Sequence, residues 1–104
     1  MRRAAKVDSN HCDIVQAFLR LGCSVQDLHR VGGGCPDLLV GIAGRVNILV
    51  EIKQPAKRKA RQGGLQDNQV EFMKSWRGWP IAVVYSVDDV VQLVNATRRG
   101  DGTN

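Results

Sequence analysis

The sequence predicts an α/β protein in which a mixed central sheet is flanked by helices. Apolar residues recur at helical spacing in three segments, which begin near residues 9, 66 and 87. Apolar runs of strand length lie between these segments, with turn-forming residues at their ends. The expected order is one helix, three strands, a second helix, a fourth strand and a third helix, within a single domain spanning residues 1–104.

The first helix is predicted from Asp8 or Ser9 to residue 21, because a glycine follows and apolar residues recur at helical spacing: Ile14, Val15, Phe18 and Leu19. The basic residues 1–7 before it are expected to form a flexible arm. Asp8 and His11 approach the inward side of the helix, so either could face a functional site. For Asp8 the alternative is an N-cap role, in which its carboxylate accepts hydrogen bonds from the first helical turn.

Two antiparallel strands are expected at residues 38–42 and 46–53, because both segments are apolar and a tight glycine-containing turn separates them. An earlier strand is expected at residues 24–31, whose polar residues favour an edge position or one solvated face. Three glycines follow at residues 32–34. They lack the spacing of a nucleotide-binding loop, so we interpret them as a sharp turn that keeps the approach to Asp37 open, with a phosphate cradle as the alternative.

Three charged residues lie at the end of this strand pair: Asp37 before one strand, and Glu51 and Lys53 in the other. Side chains alternate between the faces of a strand, so Glu51 and Lys53 project from the same face. Asp37 can meet Glu51 across the pair. Charged groups at the end of a buried strand need partners, because an unpaired buried charge is costly.

The simplest explanation of Glu51 and Lys53 is that they pair with each other or reach solvent where the strand ends. The acidic residue after Pro36 on the neighbouring strand favours another explanation. Two carboxylates and an ammonium group that converge in a basic protein indicate a divalent metal ion held against a phosphate. This pattern predicts a metal-dependent nuclease.

The second half of the chain begins with residues 54–64, where apolar periodicity is absent and we expect a mobile loop. A second helix is predicted from Gln66 or Asp67 to residue 77. It places the amide of Gln69 on a stripe that is otherwise apolar. Gln69 either bonds to backbone as a structural residue or supports the charged groups of the strand pair.

A short buried strand is predicted at residues 81–85, returning to the sheet as a crossover. The final helix should begin at Ser86, which starts a pattern resembling a capping box. Residues 98–104 are polar and are expected to form a frayed tail.

Composition and charge restrict the function. The net charge is +5 and the pI is near 9.6, which favours a polyanionic partner. The sequence has no apolar segment that predicts a membrane span or a signal peptide, so we expect a cytoplasmic protein with no membrane partner. Cys12, Cys23 and Cys35 lack zinc-site spacing and are expected to be buried thiols.

The order of elements, with Pro36-Asp37 on one strand and Glu51-Ile52-Lys53 on the next, resembles the PD-(D/E)XK nuclease superfamily. Within that superfamily the chain is most similar to the small viral-type replication-repair nucleases (the VRR-NUC family), and more loosely to the archaeal Holliday junction resolvases. The resemblance covers nearly the whole chain and includes these segments: Asp8-x-Asn10, Ile14-Val15, Gly32-Gly33-Gly34, Pro36-Asp37-Leu38-Leu39-Val40-Gly41, Glu51-Ile52-Lys53, Gln69, Trp76-x-Gly78 and Ser86-Val87-Asp88-Asp89.

The resemblance implies a restriction-endonuclease-like fold in which Asp37 and Glu51 hold Mg²⁺ or Mn²⁺. The backbone carbonyl of Ile52 is a further candidate ligand, Lys53 belongs to the catalytic set and Gln69 supports it. The first helix of that family often contributes a glutamate near its start. Here the candidate is the shorter Asp8, as a direct or water-mediated ligand.

The expected substrate is DNA, and the expected contacts to its phosphates come from four basic residues after the strand pair: Lys57, Arg58, Lys59 and Arg61. The resemblance implies a homodimer that presents two sites to branched DNA such as a four-way junction, with cleavage leaving 5′-phosphate and 3′-hydroxyl ends. The alternatives are a DNA-binding module that does not cleave, and a nuclease that acts on flaps or single-stranded DNA.

Overall fold

Residues 9–100 are described by the computed structural model, and they form three α-helices and one four-stranded sheet. Two short 3₁₀ turns lie within residues 55–64. The elements are α1 (His11–Arg20), β1 (Ser24–Asp27), β2 (Leu38–Ile42), β3 (Val46–Ile52), α2 (Asp67–Ser75), β4 (Ala82–Val84) and α3 (Val87–Arg99). The predicted α/β class with a mixed sheet is therefore confirmed.

The strands lie side by side in the order β1-β2-β3-β4. The pairs β1–β2 and β2–β3 are antiparallel, whereas β4 runs parallel to β3. Leu38 pairs with Val50 in the β2–β3 register. Asp37 directly precedes Leu38 and Glu51 directly follows Val50, so both acidic residues lie at the same end of this strand pair.

The core lies between the sheet and the two helices α1 and α3. Ile14 and Phe18 of α1 are fully buried, as are Val90 and Val94 of α3. Each such side chain contributes about 1.5–3 kcal/mol by leaving water. Residues 48–52 of β3 are all buried, as predicted for a central strand covered on both faces.

Some element boundaries differ from the prediction. The strand predicted over residues 24–31 ends at Asp27, because the Asp27 carboxylate accepts a hydrogen bond from the His29 amide (3.0 Å) and turns the chain. Helix α2 ends at Ser75 rather than at residue 77, since Trp76 has extended backbone angles. The segment predicted as an irregular loop contains the two 3₁₀ turns, Pro55–Lys57 and Arg61–Gly64.

The predicted frayed tail begins too early. Arg98 and Arg99 belong to α3, which ends at Gly100 in the left-handed conformation that commonly terminates helices (φ 79°). The Arg98 guanidinium also donates to the carbonyl of Leu21, which holds this end of the helix against the end of α1. Residues 101–104 and the predicted arm, residues 1–7, lie outside the described part of the chain.

Two further expectations concern cysteines and the third helix. Cys23 is buried, but Cys35 is only partly buried and Cys12 is exposed, so the expectation of buried thiols was wrong for Cys12. The Ser86 hydroxyl accepts from the Asp89 amide (3.2 Å), which confirms the predicted cap of α3. No helix within residues 9–100 is both long enough and apolar enough to cross a membrane.

Candidate functional site

A cleft of about 330 Å³ lies where β2 begins and β3 ends. Its walls include Asp37, Glu51, Lys53 and Gln69, the four residues predicted to form the catalytic set. The remaining lining residues are His29, Gly32, Gly33, Gly34, Cys35, Gln66 and Asn68. A larger cavity of about 580 Å³ lies near the β2–β3 turn, and its described lining residues include no carboxylate.

Glu51 is almost completely buried, with 3% of its surface exposed. Its Oε2 accepts a hydrogen bond from Nε2 of Gln69 (3.1 Å) and lies 3.7 Å from Nζ of Lys53. The pairing with Lys53 follows from strand geometry, since side chains two residues apart share a face. The buried negative charge is therefore balanced by one ammonium group and one amide donor.

Gln69 is oriented by its place in α2. It lies three residues after Gln66, the N-cap, and its Oε1 accepts from the Gln66 amide (2.8 Å). That bond satisfies an N–H group at the helix start, as in a capping box. Because Oε1 is used in this way, Nε2 faces Glu51. The capping role of Gln69 in the helix therefore determines that its Nε2 is the atom that donates to Glu51.

Asp37 is attached to the end of β3 through its side chain. Its Oδ2 accepts a hydrogen bond from the backbone amide of Ile52 (2.8 Å). In an extended strand the amide and carbonyl of one residue point to the same side. The Ile52 carbonyl therefore faces the side of Asp37, whereas the next amide, that of Lys53, donates to Val84 in β4 (3.0 Å).

The charge of the two carboxylates affects the neighbouring thiol. The pKa of Cys35 is raised by burial and, in addition, by the negative charges of Glu51 and Asp37.

The donors present fit a hard divalent cation. Glu51 provides carboxylate oxygens from β3 and Asp37 from the position directly before β2, and the Ile52 carbonyl is directed to the same side. Mg²⁺ and Mn²⁺ prefer such all-oxygen sets and retain several water ligands. These three groups could hold such an ion. Asp8, the further candidate, lies outside the described residues.

His11, which was predicted to approach the inward side of the first helix, does not line this cleft. Its Nε2 lies 2.9 Å from Oδ2 of Asp27, and His29 contacts the other oxygen of the same carboxylate. Burial raises the pKa of the Asp27 carboxyl, but hydrogen bonds from His29 and His11 outweigh it and lower the pKa to about 2.

Asn10 is a residue whose role the sequence did not indicate. Its Nδ2 donates to the backbone carbonyls of Lys53 and Tyr85, each at 3.2 Å, and so joins the start of α1 to the ends of β3 and β4. Its Oδ1 is buried without a hydrogen-bond partner among the described residues. A polar residue directly before a helix usually indicates an N-cap whose side chain bonds to the first helical turn. The Asn10 side chain makes no such bond, so its position in the sequence would have indicated the wrong role.

The third glycine of the triplet packs directly against α2. A Cβ atom at Gly34 would lie 2.4 Å from the carbonyl oxygen of Asn68, and the residue has a positive φ of 83°. Gly32 and Gly33, by contrast, face open space. The glycines therefore make a tight turn beside an open approach, as interpreted from the sequence, and Gly34 also allows the loop to lie close to the first turn of α2.

The four basic residues predicted to contact DNA are exposed on the segment after β3 and do not line the cleft. Arg58 donates to Oδ2 of Asp89 (2.6 Å), and its guanidinium lies 4.5 Å from the centre of the Tyr85 ring. Arg61 lies 3.7 Å from Asp67, in a pair exposed enough to contribute little. The cations of Lys57 and Lys59 are exposed on the same segment.

Comparison of the chain with protein-family models, with curated proteins and with solved structures finds no match. The function proposed below is therefore argued from the residues that line the cleft.

Proposed function

We propose that this protein is a metal-dependent, structure-selective DNA endonuclease with a PD-(D/E)XK-type core. One observation carries the proposal: Asp37 and Glu51 line a single cleft together with Lys53 and Gln69. Two carboxylates can hold the metal ion for hydrolysis of a phosphodiester, while a lysine can offset charge on the phosphate and an amide can orient a carboxylate.

Asp37, Glu51 and the Ile52 carbonyl would hold Mg²⁺ or Mn²⁺. When bound, such an ion polarises a phosphate and makes water more acidic. Gln69 keeps the Glu51 carboxylate in place through its hydrogen bond, and Asp37 is kept in place by the Ile52 amide. Both carboxylates are thus oriented before substrate arrives, which reduces the reorganisation needed for reaction.

Lys53 provides the positive charge of the cleft. Its side chain is 13% exposed and lies 3.7 Å from Glu51, so the ammonium group is close to the carboxylates but still accessible. In this position it can orient an attacking water or offset negative charge that develops on the phosphate. The net charge of +5 favours approach of a nucleic acid.

The proposed substrate is branched DNA such as a four-way junction, cleaved by a homodimer. A junction offers two equivalent strands, which a symmetric dimer could cleave with its two sites. Lys57 and Lys59 are the exposed cations best suited to contact the flanking phosphates.

The test is cleavage of labelled junction, flap, linear duplex and single-stranded DNA in Mg²⁺ or Mn²⁺, compared with EDTA. The variants are Asp37→Asn and Glu51→Gln, and the matched control is Asp13→Asn, which alters an exposed carboxylate on α1. We expect both cleft variants to lose cleavage while retaining DNA binding, because an amide preserves shape but is a poor metal ligand. The control should cleave normally.

Cleavage that survives in EDTA, or in both cleft variants, would contradict the proposal. Binding of junction DNA without cleavage by the unaltered protein, with either metal, would instead identify a binding module. Size measurement of the free protein and of its junction complex separately tests the proposed dimer.

A further inference from the structure

A second group of ligand-bearing side chains lies beside the cleft. It comprises His11 in the first turn of α1, Asp27 at the end of β1 and His29 in the loop that follows. One ligand atom from each residue lies within 4.8 Å of the other two. Asp27 occupies the centre, with one carboxylate oxygen facing each imidazole.

Local structure brings these residues together. Asp27 and His29 are joined by the turn that ends β1, where the Asp27 carboxylate also accepts the His29 amide (3.0 Å). His11 reaches the same carboxylate from the neighbouring helix. The centres of the two imidazole rings are 5.8 Å apart and the ring planes meet at 70°, so the rings lie edge to face rather than stacked.

We propose that His11, Asp27 and His29 bind a divalent transition-metal ion of the zinc class, with water completing its coordination. Two imidazole nitrogens and one carboxylate oxygen form a donor set that suits Zn²⁺, Co²⁺ and Ni²⁺. It differs from the oxygen-only set of Asp37, Glu51 and the Ile52 carbonyl, which suits Mg²⁺.

The separations are compatible with a single ion. Ligands at about 2.1 Å from a tetrahedral zinc ion lie about 3.4 Å from one another. The three ligand atoms lie within 4.8 Å of one another, so one ion can be bound after side-chain rotations that bring them to this spacing. The histidine side chains are 13% and 22% exposed, and Asp27 is 45% exposed, so an ion can enter and keep water ligands.

A metal at this position would join three separate parts of the chain. These are the start of α1, the end of β1 and the loop at residues 28–35. That loop forms one wall of the candidate active cleft, since His29, Gly32, Gly33, Gly34 and Cys35 all line it. Binding would therefore stabilise the folded chain and restrict movement of this wall.

The experiment is titration of metal-free protein with Zn²⁺ and with Co²⁺, followed by calorimetry, by the visible absorption of Co²⁺ and by thermal unfolding. The chain contains only two histidines, both in this cluster, so imidazole coordination reports on this site alone. With Mg²⁺ present in excess to occupy the carboxylates of the cleft, we expect one equivalent of Zn²⁺ to bind through imidazole nitrogen and to raise the unfolding temperature. Excess Mg²⁺ should not displace it.

The variants are His11→Gln and His29→Gln, which keep polar side chains at the two positions. Each should weaken Zn²⁺ binding at least about tenfold, because removal of even an indirect metal contact costs about 10–100-fold. The controls are Cys12→Ser, which removes an exposed thiol next to His11, and Asp13→Asn, which alters an exposed carboxylate of the same helix. Both controls should bind Zn²⁺ as the unaltered protein does.

Zn²⁺ affinity unchanged in both histidine variants would overturn the proposal, as would affinity abolished by Cys12→Ser alone. If a histidine variant fails to fold, NMR of the unaltered protein decides whether the two histidines bind the metal. Bound Co²⁺ must shift the ring protons of both histidines, and unshifted rings would identify the cluster as a hydrogen-bond network only. Neither result depends on nuclease activity.

Discussion

Gln69 provides the sharpest test of how the cleft is built, because its side chain makes two bonds that can be removed separately. Oε1 accepts from the Gln66 amide, and Nε2 donates to Glu51. Gln69→Ala removes both bonds. Gln69→Glu keeps the acceptor for Gln66 but replaces the donor with a second carboxylate facing Glu51.

The expected losses of unfolding free energy follow from the two bonds. A hydrogen bond to a charged group contributes about 1.5–3 kcal/mol, and a neutral bond about 0.5–1.5 kcal/mol. The Gln66 amide is exposed, so its bond lies at the low end of that range. We expect Gln69→Ala to lose about 2–3 kcal/mol. Gln69→Glu should lose at least as much in EDTA, because like charges then face each other at a buried site.

The assay is urea unfolding followed by circular dichroism, with EDTA or Mg²⁺ present. The matched controls are Gln16→Ala and Gln16→Glu, at an exposed position of α1, where changes should stay within about 0.5 kcal/mol. Mg²⁺ should restore more stability to Gln69→Glu than to Gln69→Ala. If Gln69→Glu unfolds like the unaltered protein in EDTA, Gln69 acts only as a helix cap and the reasoning about Glu51 is refuted.

Two further predictions concern the walls and surroundings of the cleft. Gly34→Ala should destabilise the protein more than Gly33→Ala. Both substitutions introduce a side chain at positive φ, but only the one at Gly34 meets the backbone of α2. Urea unfolding measures the difference in unfolding free energy, and equal losses in the two variants would contradict this prediction. Replacing Lys57 and Lys59 by Ala should weaken DNA binding and flatten the dependence of log affinity on log salt by up to about 0.9 for each phosphate that is no longer neutralised. An unchanged slope in fluorescence polarisation would exclude this segment from the DNA interface.

Sequence patterns were sufficient for the sheet and for the carboxylate pair. The apolar runs around residues 38–42 and 46–52 have the length and composition of strands, and Glu51 is conspicuous because a charge in such a run needs partners. Helical spacing placed Gln69 on an otherwise apolar stripe of α2 but left a purely structural role open, and its role beside Lys53 was implied by the family resemblance. The predicted strands and helices depend on the local spacing of apolar and charged residues, which can be read from a single sequence.

Contacts between distant segments could not be predicted in this way. The cluster of His11, Asp27 and His29 requires knowing that β1 ends at Asp27, whereas polar residues up to Arg30 fitted a longer strand. The pairing of Arg58 with Asp89 spans 31 residues and depends on how α3 packs. Periodicity carries no information about such pairings.

The end of β3 has a practical consequence for studies of opening motions. The Ile52 amide is bonded to a side chain from one neighbouring strand, and the adjacent Lys53 amide to the backbone of the other. Deuterium uptake at these consecutive positions would therefore record two different local events, release of the Asp37 carboxylate and separation of β4. A ligand that engages Asp37 should alter uptake at Ile52 first, so one pair of amides distinguishes occupation of the cleft from general loosening of the sheet.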